Sequence, residues 1–148
     1  MKSIGVFAVI GLLSSCALLP TSESQLVDKN RIKEACSDQS IDVVLSKLTP
    51  NLYSCYGGGS YKTISTQFGT YDRYFPYRIE ERNGEGGAKV FNIINEHKYY
   101  GFRLEIEPTQ DPSCPTKITS HTMNFMWDRN VTHIMKWLDD TGIACIEH

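Results

Sequence analysis

Residues 99–107 of this 148-residue chain, YYGFRLEIE, alternate apolar and charged side chains over most of their length. Alternation with a period of two is typical of a β-strand that has one buried and one solvated face. The pattern predicts a central strand of an antiparallel sheet, covered on its apolar side by other elements. The predicted buried face carries Tyr100, Phe102, Leu104 and Ile106, and the predicted solvated face carries Tyr99, Arg103, Glu105 and Glu107.

Further segments with strand character lie on both sides of this one, separated by residues that form turns. Their short connections are typical of antiparallel neighbours, so we expect a meander of five or six strands. The predicted strands are residues 52–56, 61–70, 74–82, 89–95, 99–107 and 117–123.

Two segments carry apolar residues at the i, i+3, i+4, i+7 spacing of an amphipathic helix. The first begins after Ser37 or Ser40 and is predicted to end at Thr49-Pro50; the second is predicted over residues 130–140, with Asp128 or Asn130 as its cap. Helix, meander and helix together predict an α+β domain of two layers over residues 28–148, with both helices packed on one face of the sheet. The apolar positions are Ile41, Val44, Leu45 and Leu48 in the first helix and Val131, Ile134, Met135 and Leu138 in the second.

The chain begins with a short apolar segment that follows a single lysine. Residues 4–13 are apolar except for two glycines, which is shorter than the roughly 20 residues that span a bilayer and within the range of a secretory signal peptide. Residues 13–16, LSSC, then resemble the lipobox of bacterial lipoprotein precursors, in which an aliphatic residue and two small residues precede the cysteine that is modified. The resemblance covers only these first sixteen or so residues.

The resemblance implies that residues 1–15 are removed as a signal peptide and that Cys16 carries a covalent diacylglycerol and, on its new amino group, an acyl chain. In lipoproteins of this type, a residue other than Asp after the cysteine favours the periplasmic face of the outer membrane over the inner membrane, and here that residue is Ala17. We expect residues 16–27 to form a flexible tether. An ordinary signal peptide cut after Ala17 is the alternative.

Export places the remaining cysteines in an oxidising compartment, so we expect Cys36, Cys55, Cys114 and Cys145 to form two disulfides. Four cysteines allow three connectivities. In two of the possible pairs, a helix and a strand of similar predicted length lie between the two cysteines, so the chain returns to the level at which it started. This favours Cys36 with Cys55 and Cys114 with Cys145. The alternative of a zinc site is disfavoured because no Cys-x2-Cys spacing occurs.

Charge and motifs exclude several classes of function. The formal charge of −2 gives no electrostatic footprint for nucleic acid. The sequence lacks the motifs of serine hydrolases, P-loops and dinucleotide sites, and its histidines lack a metal-binding spacing. We therefore predict no catalytic residue, no metal and no cofactor other than the lipid on Cys16. The histidines are His97, His121, His133 and His148.

Three tyrosines mark a candidate partner-binding segment. Tyr71, Tyr74 and Tyr77 recur every three residues beside Pro76, a spacing that fits neither a regular strand nor an uninterrupted helix. At least one ring is therefore expected to be exposed, where aromatic side chains are frequent binding anchors. The alternative is ordinary packing within the sheet, since aromatic residues favour strands.

Together these features favour a lipid-anchored, non-catalytic module that is held at the membrane by its acyl chains and binds a periplasmic or outer-membrane protein. One alternative is an inhibitor or immunity protein directed against a cell-wall-degrading enzyme. Another is a hydrolase with an unrecognised site, for which no nucleophile and base can be named.

Replacement of Cys16 by Ser should abolish labelling of the protein with radioactive fatty acid, because a hydroxyl group does not replace the thiol in the alkylation. We expect either an uncut precursor or a soluble species cut after Ala17. Labelling that is unchanged in the Cys16→Ser variant would contradict the lipoprotein interpretation.

Overall fold

A computed structural model describes residues 19–58, 60–139 and 145 of the chain. The signal peptide, Cys16 and His148 lie outside these residues. In chain order the elements are α1 (Glu23–Val27), β1 (Ile32–Ser37), α2 (Ile41–Tyr56), β2 (Ser60–Thr66), β3 (Gly69–Phe75), β4 (Tyr77–Asn83), β5 (Lys89–Asn95), β6 (Tyr100–Pro108), β7 (Thr116–Thr122) and α3 (Phe125–Met135), with 3-10 turns at Glu85–Gly87 and Lys136–Leu138.

The main sheet has five antiparallel strands in the order β1-β7-β6-β5-β4. Strands β4 to β7 form the predicted meander, and β1 pairs with β7 at one edge. Helices α2 and α3 cover one side of this sheet, here called the inner face, and the opposite side is the outer face. The predicted α+β class, with a meander sheet, helices packed on it and two disulfides, is confirmed.

The core lies between the inner face and these two helices. The apolar stripe of α2 and that of α3 meet the central strands β5 and β6, whose inward side chains are fully buried. The main contributors are Val44, Leu48 and Leu52 from α2, Trp127, Val131 and Ile134 from α3, and Phe91, Ile93, Phe102, Leu104, Ile106 and Ile118 from the sheet.

A β-bulge at Gly101 changes the predicted alternation of β6. Ile93 of β5 aligns with Phe102, but Ile94 aligns with Tyr100, so Gly101 is an extra residue. Tyr100 therefore lies on the outer face, and its predicted place beside Phe102 is wrong. A Cβ atom at position 101 would lie 2.5 Å from Cζ2 of Trp127, which explains why glycine occupies this position.

Helix α2 is longer than predicted and absorbs the segment expected to be the first strand. The chain stays helical through Pro50 to Tyr56, so both the predicted helix end at Thr49-Pro50 and the strand at residues 52–56 are wrong. Proline inside a helix costs about 3 kcal/mol. Leu52, Cys55 and Tyr56 continue the buried stripe of the helix, and burial worth about 1.5–3 kcal/mol for a large apolar side chain outweighs that cost.

Other boundaries also differ from the predictions. The expected strand at residues 61–70 is broken by a turn at Gln67 and Phe68, and Pro76 separates β3 from β4. Helix α3 begins at Phe125, because the side chain of Asn124 accepts hydrogen bonds from the backbone N–H groups of Met126 (3.0 Å) and Trp127 (3.3 Å). The predicted caps Asp128 and Asn130 are therefore wrong.

The two disulfides join Cys36 to Cys114 and Cys55 to Cys145, so the predicted pairing is wrong. That pairing required residues 52–56 to return as a strand toward Cys36. Cys55 instead lies in the last turn of α2, and a helix of 16 residues is about 24 Å long. Cys36 lies near the end of β1, beside the loop that joins β6 to β7 and contains Cys114.

Part of the predicted tether is folded. Ser22 caps α1 by accepting a hydrogen bond from the N–H of Gln25, and Leu26 is fully buried. The tether prediction is therefore wrong for residues 22–27. The outer face, which was predicted to be solvated, is partly covered by this helix.

An ionic cluster joins α1 to the outer face. One carboxylate oxygen of Glu23 lies 2.9 Å from Nε of Arg103, whose side chain is only 10% exposed, and the same oxygen contacts Arg82. The other oxygen accepts a hydrogen bond of 2.9 Å from Nδ2 of the buried Asn92. Burial acts to raise the pKa of Glu23, but the hydrogen bonds from Arg82 and Asn92 and the charges of Arg103 and Arg82 outweigh it, so that the pKa lies below its ordinary value.

Replacement of Glu23 by Gln should lower the free energy of unfolding by about 1–3 kcal/mol at neutral pH, because the nearly buried Arg103 would lose one of its two carboxylate partners. A carboxyl group whose pKa is lowered by folding stabilises the protein above its unfolded-state pKa, and this contribution is lost as the pH falls through the folded-state value. The difference between the wild type and the variant should therefore shrink in acid. Urea unfolding at neutral and acidic pH measures it.

Replacement of the exposed Glu85 by Gln is the matched control and should change the unfolding free energy little. Equal stability of the Glu23→Gln variant and the wild type at neutral pH would contradict the structural role of this carboxylate.

Candidate functional site

The hairpin formed by β2 and β3 is a second sheet, separate from the five-stranded one. Its strands pair without interruption from Ser60 with Phe75 to Thr66 with Gly69. The two-residue turn at Gln67 and Phe68 leads into Gly69, whose φ of +128° favours glycine. Hereafter, residues 60–75 are called the hairpin.

Three aromatic side chains of the hairpin are exposed to solvent. Phe68 at the tip is 90% exposed, Tyr71 is 48% exposed and Tyr74 is 43% exposed. Tyr71 and Tyr74 are three residues apart in β3, so the period of two places them on opposite faces of the hairpin. The hairpin therefore presents aromatic groups at its tip and on both faces.

Polar contacts across the hairpin help to hold its register. The hydroxyl group of Thr63 donates a hydrogen bond of 2.6 Å to Oδ1 of Asp72, the residue directly opposite. Such cross-strand pairs contribute about 0.2–1 kcal/mol each.

The hairpin joins the domain at an aromatic cluster on the inner face. Tyr77 packs edge-on against Tyr56 and Trp127, with ring centroids 5.8 Å and 5.5 Å apart, and Phe102 lies 5.3 Å from Tyr56. Burial, together with the neighbouring Tyr77, raises the pKa of Tyr56. Of the three predicted tyrosines, Tyr71 and Tyr74 are exposed on the hairpin, whereas Tyr77 packs against the core.

A shallow cleft adjoins the base of the hairpin. It has a volume of about 240 Å³ and runs from Tyr74 and Pro76 to the turn between β5 and β6, where Asn95, Glu96 and Lys98 line it. A negative charge, a positive charge and an aromatic ring therefore line this cleft. It can receive a single side chain of a partner, but it is too small and open to enclose a small-molecule substrate.

The described histidines do not come together. His97 is exposed beside Glu96. His133 on α3 lies against Trp137 of the 3-10 turn that follows the helix. His121 is buried on the outer face, where burial and the nearby charge of Arg103 lower its pKa. Among residues 19–58, 60–139 and 145, no group of three or more His, Cys, Asp or Glu side chains is arranged to hold a metal ion.

Phe68, the most exposed of the aromatic side chains that the structure describes in the hairpin, was missed by the sequence analysis. The turn that carries Phe68 was not recognised, because the pattern of residues 61–70 is that of one continuous strand. The isolated Gly69 between two strand-forming segments is the one feature of the sequence that indicates a local break there.

No known protein family, no curated protein and no solved structure matches the chain. In the part of the chain that the structure describes, no helix has the length and apolar character needed to cross a membrane.

Proposed function

We propose that the protein is a lipid-anchored envelope protein, held at the periplasmic face of the outer membrane by acyl chains on Cys16, that binds another envelope protein without catalysis. The observation that carries the binding function is the hairpin with Phe68, Tyr71 and Tyr74 exposed. Exposed aromatic residues on a projecting element are typical anchors of protein interfaces.

The anchor and the compartment rest on the first part of the chain. Residues 13–16 resemble a lipobox, and two disulfides are compatible with an oxidising compartment. Two or more acyl chains, each contributing about 0.8 kcal/mol per buried methylene, would make the attachment effectively permanent. A permanently attached domain meets partners in or near the same membrane.

A specific feature of the hairpin favours the inhibitor as a second candidate. Rings at the tip and on both faces can all be buried at once only in a concave partner surface. A substrate cleft of a cell-wall-degrading enzyme is such a surface. In that case the hairpin would act as a plug, and the domain would serve as the rigid base that holds it.

Replacement of Phe68 by Ala in the full-length lipidated protein should weaken its complex with the envelope partner by roughly tenfold or more, since truncating a central aromatic anchor commonly costs 1–2 kcal/mol or more. The melting temperature should change little because the side chain is 90% exposed. Cross-linking in detergent extracts identifies the partner, and the dissociation constant is then measured by mixing the two purified proteins without the cross-linker.

Tyr53→Ala is the control, because Tyr53 on α2 is another exposed aromatic residue (42% exposed) that lies outside the hairpin. Binding lost equally in the Phe68→Ala and Tyr53→Ala variants would contradict the proposal. If the partner is a wall-degrading enzyme, its rate should fall in the complex and recover with the Phe68→Ala variant. A partner without such activity leaves the non-catalytic module as the function.

A further inference from the structure

A second exposed apolar group lies at one end of the main sheet, away from the hairpin tip. Leu19 is 45% exposed, Phe125 is 67% exposed and Met126 is 51% exposed. Phe125 and Met126 open the first turn of α3, although polar residues are usual at such an exposed position. These three residues are called the end patch.

Backbone hydrogen bonds place the members of the end patch at the same end of the main sheet. The carbonyl oxygen of Pro20 accepts a bond of 2.8 Å from the N–H of Tyr100, and the carbonyl oxygen of Gly101 accepts one of 2.9 Å from the N–H of Met123. The segment that contains Leu19 and the segment that leads into α3 are thus both bonded to the first residues of β6. Pro20 is buried, which fixes the path of the chain there.

The position of Cys16 limits how far this end can lie from a membrane. Only three residue steps separate Cys16 from Leu19, and an extended chain covers about 3.3–3.6 Å per residue, or roughly 10 Å in all. With the acyl chains of Cys16 in the bilayer, Leu19 must lie within about that distance of the headgroups. The expected flexible tether of residues 16–27 would have allowed a reach of roughly 20 Å.

A positive charge stands beside the apolar residues. Arg129 is exposed and lies one helical turn after Phe125, so that the two side chains share a face of α3. A guanidinium group pairs well with lipid phosphate. The apolar stripe of α3 is buried in the core, so only its exposed first turn, with Arg129 beside it, is available to the headgroup region of a membrane.

We propose that the end patch contacts the lipid bilayer directly, with Phe125 and Met126 among the headgroups and Arg129 on lipid phosphate, and so fixes the orientation of the domain on the membrane. This inference rests on the lipid anchor of the proposed function but does not depend on what the hairpin binds.

The experiment uses the full-length lipidated protein reconstituted into vesicles of phosphatidylethanolamine and phosphatidylglycerol whose acyl chains are brominated near the headgroup. Phe125→Trp places a fluorophore in the end patch, and bromine quenches tryptophan only at short range. Compared with vesicles without bromine, the fluorescence added by the Phe125→Trp substitution should fall by more than about half.

Val43→Trp is the matched control. Val43 is also an exposed apolar residue in the first turn of a helix, 42% exposed, but it lies at the opposite end of the sheet. Its added fluorescence should be unaffected by bromine. Equal quenching at both positions, or none at position 125, would overturn the proposal, and a blue shift without quenching would assign the end patch to a protein contact instead.

Flotation of the vesicles separates this inference from the anchor. Protein that floats but shows no quenching at position 125 leaves the anchor intact and overturns the orientation. Protein that does not float lacks the anchor, and then both the orientation and the lipid anchor of the proposed function fail. Binding of the hairpin to its partner is measured separately and is unaffected by either result.

Discussion

The contact between the carboxylate of Glu23 and the guanidinium group of Arg103 determines how the first helix meets the rest of the domain. Arg103 lies in the middle of β6 on the outer face and is nearly buried, so its charge needs a partner there. Glu23 supplies that partner, and Glu105 contacts the other side of the same guanidinium group at 2.7 Å. The helix α1 is too short to be stable alone, so its formation depends on this contact and on the burial of Leu26.

Docking of α1 also determines which end of the domain lies near Cys16. Pro20 is bonded to Tyr100 at the start of β6, and the base of the hairpin lies at the same end of the sheet, since Tyr77 of β4 pairs with Asn95 of β5. The chain that leads to the proposed lipid, the end patch and the base of the hairpin therefore share one end. Under the two proposals together, the partner would meet the hairpin close to the membrane.

The sequence predicted the parts of the fold that have strong periodicity. Strand β5 was predicted with its observed bounds, and both core helices were recognised from their apolar stripes. Strand β1 was missed because it is an edge strand whose residues are mostly exposed, so no alternation marks it. Helix α1 was missed because only Leu26 of its residues is buried and its stability comes from Arg103, which is 80 positions further along the chain.

The disulfide pairing and the candidate site likewise depend on tertiary contacts that the sequence pattern does not reveal. Residues 52–56 were predicted as a strand, which placed Cys55 at the wrong end of the domain. Both predicted disulfide pairs were wrong for that reason. The tyrosine spacing correctly predicted that at least one ring is exposed, but Tyr77 and Tyr74 differ only through the break at Pro76 and the packing of Tyr77 on Trp127. Those contacts depend on tertiary structure and leave no periodic signal.

Hydrogen exchange at the backbone amides of α1 in the full-length protein tests the account most directly. The N–H of Leu26 is bonded to the carbonyl oxygen of Ser22 at 3.1 Å, and that of Asp28 to the carbonyl oxygen of Ser24 at 2.9 Å. If Glu23 and Leu26 dock this helix on the outer face, both amides should exchange at least about 100-fold more slowly than in an unstructured peptide. Exchange at the unstructured rate would mean that residues 22–27 form a free tether, and the proposed position of the domain on the membrane would lose its basis.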